Sequence, residues 1–72
     1  MLSKKTVRII SESLLISSDN IHEGLSSENC EKWDSLSHFR LVLAIENEIG
    51  RSLVVNEIIG ISSAADVQKL VS

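Results

Sequence analysis

The run from Ser35 to Ile49, SLSHFRLVLAIENEI, restricts this chain more than any other stretch, because its apolar residues recur at helical spacing. Leu36, Phe39, Val42, Leu43, Ile45 and Ile49 predict one broad apolar stripe on a helix, and Gly50 supplies a natural C-terminal stop. A stripe of that width has to be covered by other elements. In a chain of 72 residues only one small core can be assembled, so residues 1–72 read as a single domain.

The flanking segments supply the cover. From Ser3 to Ile16, Val7, Ile10 and Leu14 fall at helical spacing, with Lys4, Lys5, Arg8 and Glu12 for the wet face. Ser17 to Lys32 is rich in Ser, Asp, Asn and Glu and reads as a long loop, with Ile21, Leu25 and Trp33 as its apolar anchors. After Gly50, Val55 to Ile59 predicts a short helix closed by Gly60; the Asn56-Glu57 pair lacks the glycine that a tight hairpin turn prefers. Ser63-Ala64-Ala65-Asp66 has the spacing of a capping box, and Ala64, Val67 and Val71 continue as a last helix. The fold class expected is all-α, a small bundle of three main helices plus one short helix.

Composition removes several function classes. One cysteine, Cys30, cannot form an internal disulfide, and with only two histidines a structural zinc site is not expected. A net charge of −3 argues against binding a phosphate backbone, so no nucleic-acid partner is expected. No run reaches the roughly 20 apolar residues of a membrane span. A cytoplasmic monomer is the reading, and the starting Met suggests a separate protein. The stretch from Glu12 to Asp34 holds six acidic residues against Lys32 alone, a distribution that favours a basic partner.

Ser35 stands where the polar loop passes into the long helix. Its plainest use is to help start that helix, since a side-chain oxygen there accepts unpaired backbone N–H groups. A catalytic use would pair it with His38, three residues on, and with Asp34. So short a chain has little material for an oxyanion hole and a water-excluding pocket, so no enzyme is expected. Cys30 paired with His22 or His38 meets the same objection. A third use makes Ser35 a substrate: a hydroxyl at an exposed helix N-terminus is placed to be esterified to a phosphate, whose charge the helix dipole favours.

The sequence DSLSHFRLVLAIENEIG resembles the modification-site region of acyl carrier proteins, in which Asp-Ser-Leu opens the second helix. AIENEIG resembles that family's Ala-Leu-Glu-Glu-Glu-Phe helix ending, and GISSAADVQKLV resembles its Ile-Thr-Thr-Val run into the last helix. The resemblance covers nearly the whole chain, and it implies an acyl-carrier-like bundle. It implies that a phosphopantetheinyl transferase attaches 4′-phosphopantetheine from coenzyme A to Ser35, flanked by Asp34 and Leu36. The arm's thiol would hold an acyl group as a thioester for acyl-activating, acyl-transferring and downstream biosynthetic enzymes.

Partner recognition, on the same resemblance, falls to Trp33, Leu36, His38, Arg40 and Glu46. Trp33 is expected chiefly to pack the loop in a core poor in aromatics, and Leu36 serves equally as the first core residue of the helix. Ser37, His38 and Arg40 stand where typical fatty-acid carriers are acidic, and only Glu46 and Glu48 keep that character. The Trp-Asp-Ser-Leu-x-His wording is similar to carriers of specialised pathways. Two alternatives remain: a free-standing aminoacyl or peptidyl carrier, and an unmodified helical interaction module.

Overall fold

Three of the helix starts in this chain are set by side chains that accept free backbone N–H groups, and two of the helix ends by left-handed backbone. In the computed structural model, which describes all 72 residues, α1 spans Lys4–Leu14, α2 Ser35–Ile49, α3 Val55–Gly60 and α4 Ala64–Val71. Ser3 caps α1 by accepting the Thr6 N–H at 3.1 Å, and Asp34 caps α2 by accepting the Ser37 N–H at 2.8 Å. Gly50 ends α2 at φ 75°, a left-handed conformation in which its N–H reaches the Glu46 carbonyl at 2.9 Å. The expected all-α bundle of three main helices and one short one is the fold observed. No helix is long and apolar enough to cross a membrane.

The termini differ from expectation in three details. α1 begins after Ser3 and stops at Leu14, before Ile16, because Leu15 adopts φ 57° and turns the chain. The loop contains a one-turn 3-10 helix, Ser18–Asn20, whose cap is Ser17. At α4 the capping box is half formed. Ser63 Oγ accepts the Asp66 N–H at 3.2 Å, but the Asp66 carboxylate takes the Ser62 N–H at 3.0 Å instead of that of Ser63. α3 starts without a side-chain cap acceptor, and Glu57 reaches back to the Val54 N–H at 3.1 Å.

The core gathers Ile9, Ile10 and Leu14 of α1, Leu41, Val42 and Ile45 of α2, and Ala64 and Val67 of α4. Leu25, Trp33, Leu53 and Ile61 fill it from the connections. The loop anchors behave as expected for Leu25 and Trp33, which are buried, while Ile21 packs half-buried against the same cluster. A pair of backbone bonds clips this loop to the start of α4: Ser27 N–H to the Ser62 carbonyl at 2.8 Å, and Ala64 N–H to the Leu25 carbonyl at 2.9 Å. α3 buries no residue completely, and only Ile58 packs on the core.

The phase of α2 corrects the expected stripe. Leu36, Phe39 and Leu43 are 62%, 60% and 49% exposed, whereas Ser37, Leu41, Val42 and Ile45 are buried. Val7, expected in the core, is half-buried; buried Thr6 and Ile9 take the inner face of α1. The polar intruders are satisfied. Thr6 Oγ1 donates to Gln68 Oε1 at 2.8 Å, and the same oxygen accepts the Ser3 N–H at 2.7 Å, joining α1 to α4.

Two expected outcomes follow from this packing. Leu41→Ala removes a fully buried side chain and lowers unfolding free energy by about 3 kcal/mol, whereas Phe39→Ala changes it by less than about 0.5 kcal/mol, both read from urea denaturation. Leu15 holds a left-handed conformation that costs a side-chain-bearing residue about 1 kcal/mol or more. After allowing for glycine's greater loss of backbone freedom, Leu15→Gly raises stability by about 0.5 kcal/mol, seen as a higher thermal midpoint.

Candidate functional site

Ser35 is the first residue of α2, immediately after the Asp34 cap, and it is exposed. It borders an open cleft of about 390 Å³ whose walls include Ser27 and Trp33 from the loop, Asp34 and His38 from the α2 end, and Ile59 from α3. The polar groups beside it are committed elsewhere. The Asp34 carboxylate holds the Ser37 N–H, and His38 is engaged at both ring nitrogens.

Trp33 Nε1–H donates to His38 Nδ1 at 3.0 Å, and His38 Nε2 pairs with the Ile58 carbonyl at 3.0 Å. A Ser-His-Asp catalytic arrangement needs an imidazole lone pair facing the serine and a carboxylate on the other nitrogen. Here those two places are taken by an indole and a backbone carbonyl. What remains at Ser35 is a free-standing hydroxyl at the positive end of a helix.

The other site residues read from the sequence fall into place less uniformly. Leu36 is exposed beside Ser35, which settles its role against core packing. Trp33 is 6% exposed, so it packs the loop and presents no aromatic anchor to a partner. Arg40, expected on the outer face of α2, is half-buried: Nε donates to the Ser13 carbonyl at 2.9 Å near the end of α1, and a terminal nitrogen donates to Ser37 Oγ at 3.1 Å. A cation there satisfies a terminal helix carbonyl. Glu46 is also tied inward, its carboxylate accepting the Leu53 N–H at 2.7 Å. Glu48 binds Lys5 and Arg8 of α1, each at 3.1 Å. His38 is likewise half-buried and bridging, not a solvated surface residue.

The outer face of α2 is therefore apolar. Leu36, Phe39 and Leu43 lie on it, and Val54, Val55 and Ile59 add exposed apolar surface at and around α3. Phe39 and Leu43 were missed as candidate contact residues because their spacing also fits a core stripe. Buried Ser37 and half-buried Arg40 mark the other phase as the inner one.

Electrostatically the site is organised around its cap. The Ser37 backbone N–H, above all, holds the Asp34 carboxyl below its ordinary value; partial desolvation opposes this, and the Ser37 hydroxyl and the Arg40 charge reinforce it. Asp66 is lowered chiefly by the Ser62 N–H, and Glu57 is brought down to about 2, first by its hydrogen bond from Arg51. Compared with family models, curated proteins and solved structures, the chain matches none. What the fold and site define is a small helical bundle that presents one serine at a helix start.

Each of these carboxyls titrates lower folded than unfolded, so its stabilisation is complete above the unfolded value near 4 and is lost as pH falls through the folded value. Asp34 and Asp66 hold the starts of α2 and α4, two helices that build the core, whereas Glu57 serves only the short α3, so Asp34 and Asp66 are the groups to follow. Urea midpoints fall between about pH 5 and about pH 2. Asp34→Asn keeps the cap and makes that fall shallower, whereas Asp34→Ala lowers the midpoint already at neutral pH.

Proposed function

We propose that this chain is a carrier protein of the acyl carrier type, bearing 4′-phosphopantetheine on Ser35. The observation that carries the reading is the uncommitted, exposed hydroxyl of the first α2 residue, presented beside a cleft by the Asp34 cap. The extended sequence resemblance around that residue supports it. In the transfer, Ser35 Oγ attacks the β-phosphorus of coenzyme A, the pyrophosphate bond breaks, and 3′,5′-ADP leaves. The serine proton passes to a base of the phosphopantetheinyl transferase, so this chain needs no base of its own.

The dipole of α2 favours the phosphodiester charge at Ser35, and Asp34 keeps that helix start ordered. The arm's thiol then carries an acyl group as a thioester, and acyl-activating, acyl-transferring and downstream enzymes act on it. The reading places the protein in the cytoplasm, among carriers of specialised pathways. Exposed Leu36, Phe39 and Leu43 give those enzymes an apolar surface next to the arm, since desolvated apolar contacts supply most interface energy. An aminoacyl cargo would use the same serine.

That apolar face also supports a second reading, an unmodified helical interaction module. Incubation with coenzyme A and a broad-specificity phosphopantetheinyl transferase separates the two by intact mass. The carrier gains one arm, and Ser35→Ala gains none. A chain that stays unmodified, or a gain that survives Ser35→Ala, removes the carrier reading. The interaction module instead predicts partner binding that is indifferent to Ser35→Ala and falls with Phe39→Ala.

A further inference from the structure

Trp33, His38 and the Ile58 carbonyl form a relay whose proton positions are fixed by chemistry. An indole nitrogen only donates, so the 3.0 Å bond from Trp33 Nε1 requires a bare Nδ1 on His38. The remaining proton is on Nε2 and is donated to the Ile58 carbonyl, also at 3.0 Å. One neutral imidazole thereby ties the end of the long loop, α2 and the last turn of α3 together beside Ser35. The ring centroids of Trp33 and His38 lie 6.5 Å apart with planes tilted by 31°. The indole meets the imidazole through its N–H, not its face, so no π surface lies opposite Nδ1 to receive a cation.

We infer that His38 is a protonation-sensitive latch on the Ser35 cleft: neutral, it holds Trp33 and α3 together, and protonated, it releases Trp33. A proton added at Nδ1 turns an acceptor into a donor that faces another donor, while the bond from Nε2 to Ile58 is retained. The Trp33 indole is then left without an acceptor in a nearly buried position, which is unfavourable until the ring shifts. Trp33 forms one wall of the cleft, so its shift alters the surroundings of Ser35.

The charged groups around the latch are already engaged or lie outside it. On α2, Asp34 holds the Ser37 N–H, and Arg40 holds the Ser13 carbonyl and Ser37. On α3, Glu57 is paired with Arg51 at 2.9 Å, and at the start of α4 Asp66 is bound to Ser62. In the loop, Glu31 and Lys32 are exposed, and the Cys30 carbonyl accepts the Trp33 backbone N–H. No carboxylate hydrogen-bonds the imidazole in place of Trp33. The latch is a property of the unmodified chain and does not depend on the carrier reading.

Trp33 is the only tryptophan, so intrinsic fluorescence and the indole N–H resonance report on it alone. The full chain without any arm is titrated from about pH 8 to about pH 5, the range in which histidine side chains titrate. The wild type shows a one-proton step in both signals. His22→Gln keeps it, and His38→Gln, whose amide both accepts and donates but does not titrate, loses it. A step that survives His38→Gln, vanishes in His22→Gln, or never occurs in the wild type overturns the latch. Should His38→Gln fail to fold, ring-nitrogen shifts of wild-type His38 decide: the latch requires a bare Nδ1 at pH 8 and a ring titration coincident with the Trp33 step. Any other tautomer, or separate midpoints, overturns it.

Discussion

The bond from the Ser37 N–H to the Asp34 carboxylate starts α2, and the rotational phase set by that start decides what every face of the helix meets. With Asp34 as cap, Leu41, Val42 and Ile45 point inward against α1 and α4. Ser35 and Leu36 are left outside, and His38 is aimed at Trp33 and α3. A start one residue later would need Ser35 as the cap and would spend its hydroxyl on the backbone. Capping by Asp34 therefore does two things: it begins the helix, and it leaves the serine chemically available.

Element order and the limits of α2 and α4 were legible in the sequence because caps and stops are local. Gly50 and Ser63 act within a few residues of their own position, so their consequences need no tertiary knowledge, whereas α3 runs through Gly60 to a cap at Ile61 and α2 is capped by Asp34 in place of Ser35. The inner face of α2 was not legible for the opposite reason. Apolar residues occupy Leu36, Phe39, Leu41, Val42, Leu43, Ala44, Ile45 and Ile49, which leaves two rotational phases with comparable apolar content. Ser37 and Arg40 lie toward the buried side, and periodicity counts them against the true phase. Only the Ser13 carbonyl, supplied by α1, shows why a guanidinium and a hydroxyl belong there.

The same contrast holds at the candidate site. The place of Ser35 at the helix start was readable, although the capping oxygen is that of Asp34 and not of Ser35, and Trp33 was readable from the scarcity of other aromatics to fill the core. Arg40, Glu46 and His38 looked like free surface charges or polar groups because they follow an exposed serine on a helix. Each instead satisfies a group that the sequence cannot place beside it: the Ser13 carbonyl, the Leu53 N–H, and the Trp33 indole with the Ile58 carbonyl. The connections reach a small core through Leu25, Trp33, Leu53 and Ile61, and these polar ties add to that apolar anchoring.

Stability is accordingly uneven around Ser35. α2 lies against α1 and α4 with three fully or nearly buried aliphatic residues, so the serine's own backbone is anchored. The opposite wall is weaker: α3 buries nothing completely, and its link to α2 beside the cleft runs through His38 and the Ile58 carbonyl. Elements with few buried apolar contacts open at lower free energy than the core. The cleft thus joins a side anchored by buried aliphatic residues, which presents the hydroxyl, to a side held by fewer of them. In a chain of this size, that division of labour follows from where the aliphatic residues were placed: mainly on α1, α2 and α4, with α3 left to Ile58 and to hydrogen bonds.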